Sequence, residues 1–526
     1  MNIQRVTVLR VITGFVVFMS FFWGLGKSPL FDEDEGFFAE GTREMMQSRD
    51  YITPRVMGEA RFDKPVFTNW LQVGSMKLFG KTEFAIRLPS AMASMVWMML
   101  IYFFVLSKYD DETASLSTIM IAAAIQVTTI GRAALSDALL NCFVTGAMIY
   151  LFKYIENSQK RDLYIFYLFA GFGFATKGPI AIAIPVIVLL ICMTRWKKWR
   201  LLPSFISAGG ILIFAVVGLP WYFLQYHKMG NEFLYGFFFH HNLQRFSQSF
   251  EGHGGPVYYY LPVLLLGTLP FTVLIINGLV TQIRKLKDPL TFFLFSWFCF
   301  VFIFFSFSGT KLPHYIIAGY TPLFILAAMR KKPHRTRSLF LPFFTLWLIL
   351  FIAPMFSQQA LTLTNDSFAH AIILNIPVYF NQPYYIIMLA LMVVIMGLGI
   401  WGRTLNEIIR LGFLSILFLI MINQVFMPSL WKLIQEPVKE AALLARQNQY
   451  KVITMDHYYP SFNFYASQLT PIREPQKGEV VFSRIDNLQH YANLDTLYYK
   501  NGFILAKLSG NKNMNQSTQI LPEAIK

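Results

Sequence analysis

The chain has 526 residues, 55% hydrophobic, 17% aromatic and only 14% charged, with a mean hydropathy of +0.46, which excludes an ordinary soluble globular protein and describes a polytopic membrane protein. A net charge of +16 would suit nucleic acid, but Lys and Arg fall in short clusters between apolar runs, without a basic face or an RNA- or DNA-binding motif. That is the pattern of cytoplasmic loops against anionic membrane lipid. Cys142, Cys192 and Cys299 lie inside apolar stretches and offer neither a disulfide framework nor a thiolate metal site.

The first apolar run, Val8 to Gly26, is followed by no small-residue cleavage site and reads as a retained span. Arg5 and Arg10 on its flank set the N-terminus in the cytoplasm, so the acidic stretch Phe31-Asp32-Glu33-Asp34-Glu35 lies outside. Glu40, Arg43 and Glu44 have helical spacing, which predicts an amphipathic helix lying at the interface from Phe37 to Gln47, then an irregular loop to an Asp63-Lys64-Pro65 turn.

Spans are expected at Leu88–Leu106, Ala114–Ile130, Asp137–Tyr154, Leu163–Ala175, Ile180–Thr194, Phe205–Tyr226, Tyr258–Ile283, Leu290–Ser306, Ile316–Met329, Leu339–Phe356, Tyr385–Trp401 and Leu411–Phe426. With the first they make about thirteen. The basic runs at 195–200, 284–287 and Arg330 to Arg337 then all face the cytoplasm, while 131–137, 176–179, His227 to Pro256 and 309–315 face outward. From Ser429 the character changes: Val438 to Gln447 reads as a helix, and 452–455, 479–482 and 503–506 as short strands. The expected organisation is an all-α membrane domain over 1–428, with outer loops 27–84 and 227–256, and a small soluble α/β domain over 429–526.

Several polar residues could carry chemistry. Asp34 and Glu35 could activate a hydroxyl or hold a divalent cation, though acidic residues also favour a helix start; Asp32 and Glu33 read as solvated. Asp137 suits a helix N-cap as well as a functional role. Lys64, Arg245 and Lys311 sit on the outer side, where cations suit the phosphate or pyrophosphate of a lipid carrier, with interfacial snorkelling as the alternative. His240, His241 and His253 could join Asp63 or Asp34 around a divalent metal such as Zn, Mg or Mn, but adjacent histidines diverge on a helix and the spacing fits no standard ligand set. Trp221-Tyr222 and 258–260 read as aromatic belts.

In order along the chain, Asp34-Glu35, Arg43-Glu44-Met45, Asp63-Lys64-Pro65, Ser136-Asp137-Ala138, Thr176-Lys177-Gly178-Pro179, Asn242-Leu243-Gln244-Arg245-Phe246, Gly252-His253 and Lys311-Leu312-Pro313-His314-Tyr315 resemble segments of the bacterial type C glycosyltransferases. These are related to protein O-mannosyltransferases, and the nearest group is the 4-amino-4-deoxy-L-arabinose transferases that modify lipid A. The resemblance runs from Asp34 to Pro322.

It implies a helical bundle with an external cavity in the bacterial inner membrane, taking sugar from undecaprenyl phosphate. The acceptor would be lipid A, a lipid-linked glycan or a protein. By carry-over, Asp34 would be the main catalytic carboxylate and Asp137 the second. Lys64, Arg245 and Lys311 would hold phosphate, and Tyr315 would lie near the donor headgroup. Two departures bear on the sugar and acceptor: Phe37 stands where that group usually has Arg, and Asp63 where it usually has Glu. The rival from another class is a lipid or glycan transporter, whose mark would be charges at mid-depth and broken helices in paired halves.

Overall fold

Backbone polar groups in lipid are satisfied only by helices or closed barrels, and each of the expected apolar segments falls largely on helix. The computed structural model describes residues 3–249, 252–330, 336–400, 402, 405–455, 457–491 and 494–509. Among these, seven helices are individually long and apolar enough to cross a bilayer, and ten if three bent pairs each count as one crossing; three shorter apolar helices accompany them. The chain is thus a multi-pass membrane protein.

Two of the bends meet. Asp111–Ala122 and Ile125–Arg132 diverge by 69°, and Val257–Gly267 and Thr272–Lys285 by 115°. At the meeting point the Ile125 amide donates to the Leu269 carbonyl at 2.9 Å, so one broken helix satisfies the other.

One end of the bundle is marked by ion pairs: Arg5 with Glu112 at 2.5 Å, Arg10 with Asp111 at 2.8 Å, and Lys108 with Glu156. Within the expected basic run Arg330 to Arg337, Lys331, Lys332, Pro333, His334 and Arg335 lie outside the described residues.

The other end is built around the helix Asp34–Ser48, which differs from the surface helix expected there. Glu40, Thr42, Arg43 and Glu44 are buried, because residues 460–466 roof one side and the helix Phe67–Phe79 closes another. The buried polar groups are therefore paired: Arg43 grips Glu40 through two bonds of 2.6 and 2.7 Å, Thr42 donates to Gln72, and Glu44 accepts from the amides of Met57 and Gly58. The next segment is no irregular loop but a short hairpin, β1 (Arg55–Val56) and β2 (Glu59–Ala60).

The expected outer loop from His227 to Pro256 is helical from its start through Pro220–Leu234 and a π-helical run Tyr235–Gln244. Trp221, Phe233 and Phe237 bury against Phe62 there. Near the C-terminus, β3 (Val452–Thr454), β4 (Val480–Arg484), β5 (Leu494–Lys500) and β6 (Phe503–Leu508) form a sheet ordered β3-β4-β6-β5, parallel between β3 and β4 and antiparallel elsewhere. The boundary expected at Ser429 falls inside the apolar helix Glu407–Ile434. Beyond it, Val438, Phe462, Phe482 and Phe503 share one core with Leu30, Ala39 and Ile86, so the sheet region packs continuously onto the membrane part.

Candidate functional site

Asp34 opens its helix, with its carboxylate at the boundary between two cavities. It is accessible to solvent, but protein crowds it. That burial, followed by the negative charges of Asp137, Glu33 and Glu35, holds its pKa above the usual aspartate value. Glu35, one residue on, points the other way and is buried. Arg87 clamps both its oxygens at 2.6 and 2.7 Å, and the amides of Phe31 and Ala134 donate to the same carboxylate at 3.0 and 2.8 Å. Burial pushes Glu35 up, but Arg87 outweighs it and the pKa falls. With its acceptor sites occupied by protein donors, Glu35, expected to be catalytic, anchors the turn that presents Asp34. Asp32 departs from the expected solvated state, whereas Glu33 stays exposed as expected. Asp32 accepts from the Ser461 amide at 2.8 Å and from its hydroxyl, and Glu33 pairs with His457 at 3.1 Å.

Facing Asp34 across a cavity of about 380 Å³ are Lys64, Asp137, Arg245, His253 and Tyr315. A second cavity of about 450 Å³ continues from it, sharing Lys64, Asp137, Arg245 and Tyr315, then running between Leu140, Ile180, Phe304 and Phe305. The combined space is charged at one end and apolar at the other.

Lys64 is placed by the turn after the hairpin and stays within 3.8 Å of Asp63. Burial lowers its pKa to about 8 against the opposing pull of Asp63. Asp63 itself would be raised by burial, but Arg61 and then Lys64 hold it far below the carboxylate range. Arg61 donates to it at 2.7 Å while lying over the Phe37 ring at 4.4 Å. A guanidinium thus stands against the Phe37 ring.

Asp137 sits in the first turn of Asp137–Asn157 and accepts from Lys177 at 2.6 Å, with His314 Nε2 at 3.8 Å. Lys177 also lies 5.1 Å from the centre of the Tyr315 ring. Sequence reasoning quoted Lys177 and His314 without giving them a role. A lone cation between two apolar helices, followed by Gly178-Pro179, was the available signal.

Lys311, expected at the phosphate, lines neither cavity. Its ammonium is buried and donates to the Ser308 carbonyl at 2.5 Å, because the close crossing of 308–311 over 245–248 turns it inward. The cations lining the second cavity are Lys64, Lys177 and Arg245, while Arg61 lines the first and is paired with Asp63.

The expected metal set does not assemble. Among the described residues no three His, Cys, Asp or Glu side chains converge as ligands. Asp63 is already committed to Arg61 and Lys64, and His240 turns to Gln244 at 2.9 Å. His241 and His253 do line the charged cavity. Burial lowers His241 to about 4, against the pull of Asp63. This donor set does not fit a divalent cation.

A helical bundle of this kind, capped by a small sheet, has solved counterparts. The chain superposes on ArnT of Cupriavidus metallidurans bound to undecaprenyl phosphate with a TM-score of 0.76, at 20% identity over 97% of this chain and 100% of that one. It also matches the archaeal oligosaccharyltransferase AglB of Archaeoglobus fulgidus, at 0.51 and 10% identity over 97% and 74%.

Within the sequence, residues 63–223 match the family of dolichyl-phosphate-mannose-protein mannosyltransferases. An undecaprenyl phosphate-alpha-4-amino-4-deoxy-L-arabinose arabinosyl transferase of Yersinia enterocolitica is 34% identical over 307 residues, 57% of this chain and 55% of the relative. A protein of the same description in Proteus mirabilis is 30% identical over 59% and 57%. The matched region thus spans just over half the length of these relatives. The likeness drawn from the motifs holds for the fold and for the matched segments.

Proposed function

We propose that the chain is an inner-membrane glycosyltransferase that takes a sugar from undecaprenyl phosphate at the periplasmic face and attaches it to lipid A or a related lipid acceptor. The observation that carries this reading is the convergence of Asp34 with Lys64, Lys177 and Arg245 on a space that is apolar along its other half. A prenyl phosphate has the same division: an anionic head and a hydrocarbon tail. The names of the relatives supply the sugar class, and their partial coverage leaves the specific sugar and acceptor within the proposal.

In this reading Lys64, Lys177 and Arg245 hold the donor phosphate and stabilise the charge that grows on it as the bond to the anomeric carbon breaks. Asp137 holds Lys177 in place at 2.6 Å. An acceptor hydroxyl would give its proton to Asp34 as its oxygen bonds to the anomeric carbon. An already ionised acceptor phosphate needs no base, and Asp34 then fixes its approach. The bundle end that carries the site is the one facing away from Arg5, Arg10 and Lys108, which supports the periplasmic assignment by the positive-inside rule.

The test is transfer of labelled sugar from the undecaprenyl carrier to lipid acceptor in reconstituted membranes. Asp34→Asn is expected to lower the rate by about 10²-fold or more; a wild-type rate in that variant would remove the mechanism. Movement of the carrier across the bilayer without a covalent product would favour the transporter instead.

A further inference from the structure

The apolar half of the donor space is walled in part by two helices, Ile180–Trp196 and Pro289–Ser306, which pack side by side. Ile180 and Ala183 in the first turn of one, and Phe304 and Phe305 in the last turn of the other, line the second cavity. The two therefore run in opposite directions, and at 1.5 Å per residue their far ends lie about 25 Å from it.

Those far ends are basic. The first helix finishes in Arg195-Trp196-Lys197-Lys198-Trp199-Arg200, and the second is entered through Arg284-Lys285-Leu286-Lys287-Asp288. The Arg195 guanidinium lies 5.8 Å from the centre of the Phe292 ring and the Trp196 ring 6.1 Å from it, so the two runs adjoin. The Lys and Arg side chains of both runs are exposed.

Their charge is not met by protein. Elsewhere at this end Arg5, Arg10 and Lys108 are matched by Glu112, Asp111 and Glu156. Among the described residues no carboxylate pairs with the cations of the two runs. Asp288, the one acid they contain, is used to cap its helix, accepting from the Thr291 amide and hydroxyl at 2.8 Å. Like charges gathered from two loops repel, which pushes the two helix ends apart unless an anion lies between them. The flanks suit a lipid: Trp199 is exposed and Trp196 half-buried, amphipathic rings at headgroup level, while Leu190 and Ile191 turn outward from the same helix.

We infer that 195–200 and 284–287 together hold the headgroup of an anionic phospholipid of the inner leaflet, its acyl chains along Leu190 and Ile191. By neutralising both runs this lipid clamps the two helices at one end and so keeps the apolar channel shaped at the other. The lipid site stands on the placement of these cations alone; its effect on transfer rests on the transferase reading above. The direction of that effect is definite: a clamped channel lowers the KM for the prenyl donor, whereas an anionic lipid lodged at Lys64 would compete with the donor and raise it.

The experiment uses the full chain in nanodiscs of phosphatidylcholine alone or with phosphatidylglycerol. Native mass spectrometry reads the retained lipid, and transfer of labelled sugar reads the donor KM. The wild type should retain phosphatidylglycerol, and its presence should lower the donor KM about fivefold. The triple variant Lys197→Gln, Lys198→Gln, Arg200→Gln should weaken retention about tenfold or more and abolish the KM response, and so should Arg284→Gln, Lys285→Gln, Lys287→Gln. Lys160→Gln with Arg161→Gln, which removes exposed cations from another loop at the same end, should keep both.

Equal retention by the triple variants and the wild type, or an equal loss in the Lys160 and Arg161 control, overturns the site. Retention with a donor KM that does not respond overturns the clamp, and a KM that rises assigns the lipid to the Lys64 cavity instead. A wild type that transfers no sugar in either nanodisc defeats the transferase reading, and retention then still decides the lipid site.

Discussion

Successive side chains on a helix point about 100° apart, which is why Asp34 and Glu35, adjacent in the chain, meet different surroundings. Asp34 lines the charged cavity with Lys64 and Arg245, and Glu35 is buried against Arg87. Breaking a buried ion pair by neutralising one partner leaves the other charge uncompensated, typically at a cost of about 3–5 kcal/mol. Glu35→Gln should therefore lower the thermal unfolding midpoint steeply, and the residual folded fraction should keep its KM for donor. A catalytic Glu35 would instead lose rate with the midpoint intact.

The raised pKa of Asp34 comes from burial first and then from Asp137, Glu33 and Glu35. Its ionised form thus appears at higher pH than in a free aspartate, and the acid limb of kcat/KM should lie above the ordinary aspartate range. Glu33→Gln removes one of the repelling charges, so that limb should move to lower pH in a profile of sugar transfer. Asp34, Asp137, Lys64 and Arg245, singled out in the sequence as polar groups on the outer side, line one cavity. Lys311 has the same local appearance. Only the tertiary crossing that turns its ammonium onto Ser308 separates it from Lys177.

At the scale of elements, the position of Arg245 depends on a close crossing of two strands of chain. The Gly309 amide donates to the Phe246 carbonyl at 2.6 Å, and the Thr310 amide to the Arg245 carbonyl at 3.2 Å. A Cβ on Gly309 would stand 2.6–2.7 Å from the backbone of Gln248, a distance that backbone can relieve only by moving. Displacement of a phosphate-holding group by about 1 Å can cost about 10²-fold in rate. Gly309→Ala should lower kcat/KM for the undecaprenyl donor by about that factor, while Gly74→Ala, with nothing within 4 Å of its added carbon, serves as the unchanged control.

Apolar periodicity made the membrane helices legible, since it is a local property of the chain. The burial of Glu40, Arg43 and Glu44 was not, because it arises partly from residues 460–466, more than four hundred positions away. The edge strand β5 was missed for a related reason: its residues are half-buried or exposed, so no run of buried apolar residues announces it.

Across the whole molecule, the sheet region and the acidic stretch hold each other. Beyond the contacts of Asp32 with Ser461 and Glu33 with His457, the Leu30 amide donates to the Tyr465 hydroxyl at 2.8 Å, and Lys439 reaches Glu83 at 2.5 Å. Gly36 permits this approach, since a Cβ there would lie 2.6 Å from Asp32 and 2.9 Å from the Ser461 amide. This docking could not be read from the sequence, as neither partner carries a local mark of it.

The docking has a pH dependence with a definite sign. Burial raises Asp32 from 3.8 to about 6, with the Ser461 bonds opposing the rise. The folded state therefore holds the Asp32 proton more tightly than the unfolded chain. Its contribution to stability is complete below pH 3.8 and is lost as pH climbs through about 6. Asp32→Asn keeps a carbonyl oxygen for the Ser461 amide and removes the ionisation. Relative to wild type, this variant should gain thermal stability as pH rises from 4 to 7, reaching about 1–2 kcal/mol. A wild-type advantage that widened over the same interval would mean that the charged carboxylate, with its two Ser461 bonds, is the form that secures the sheet region to the site.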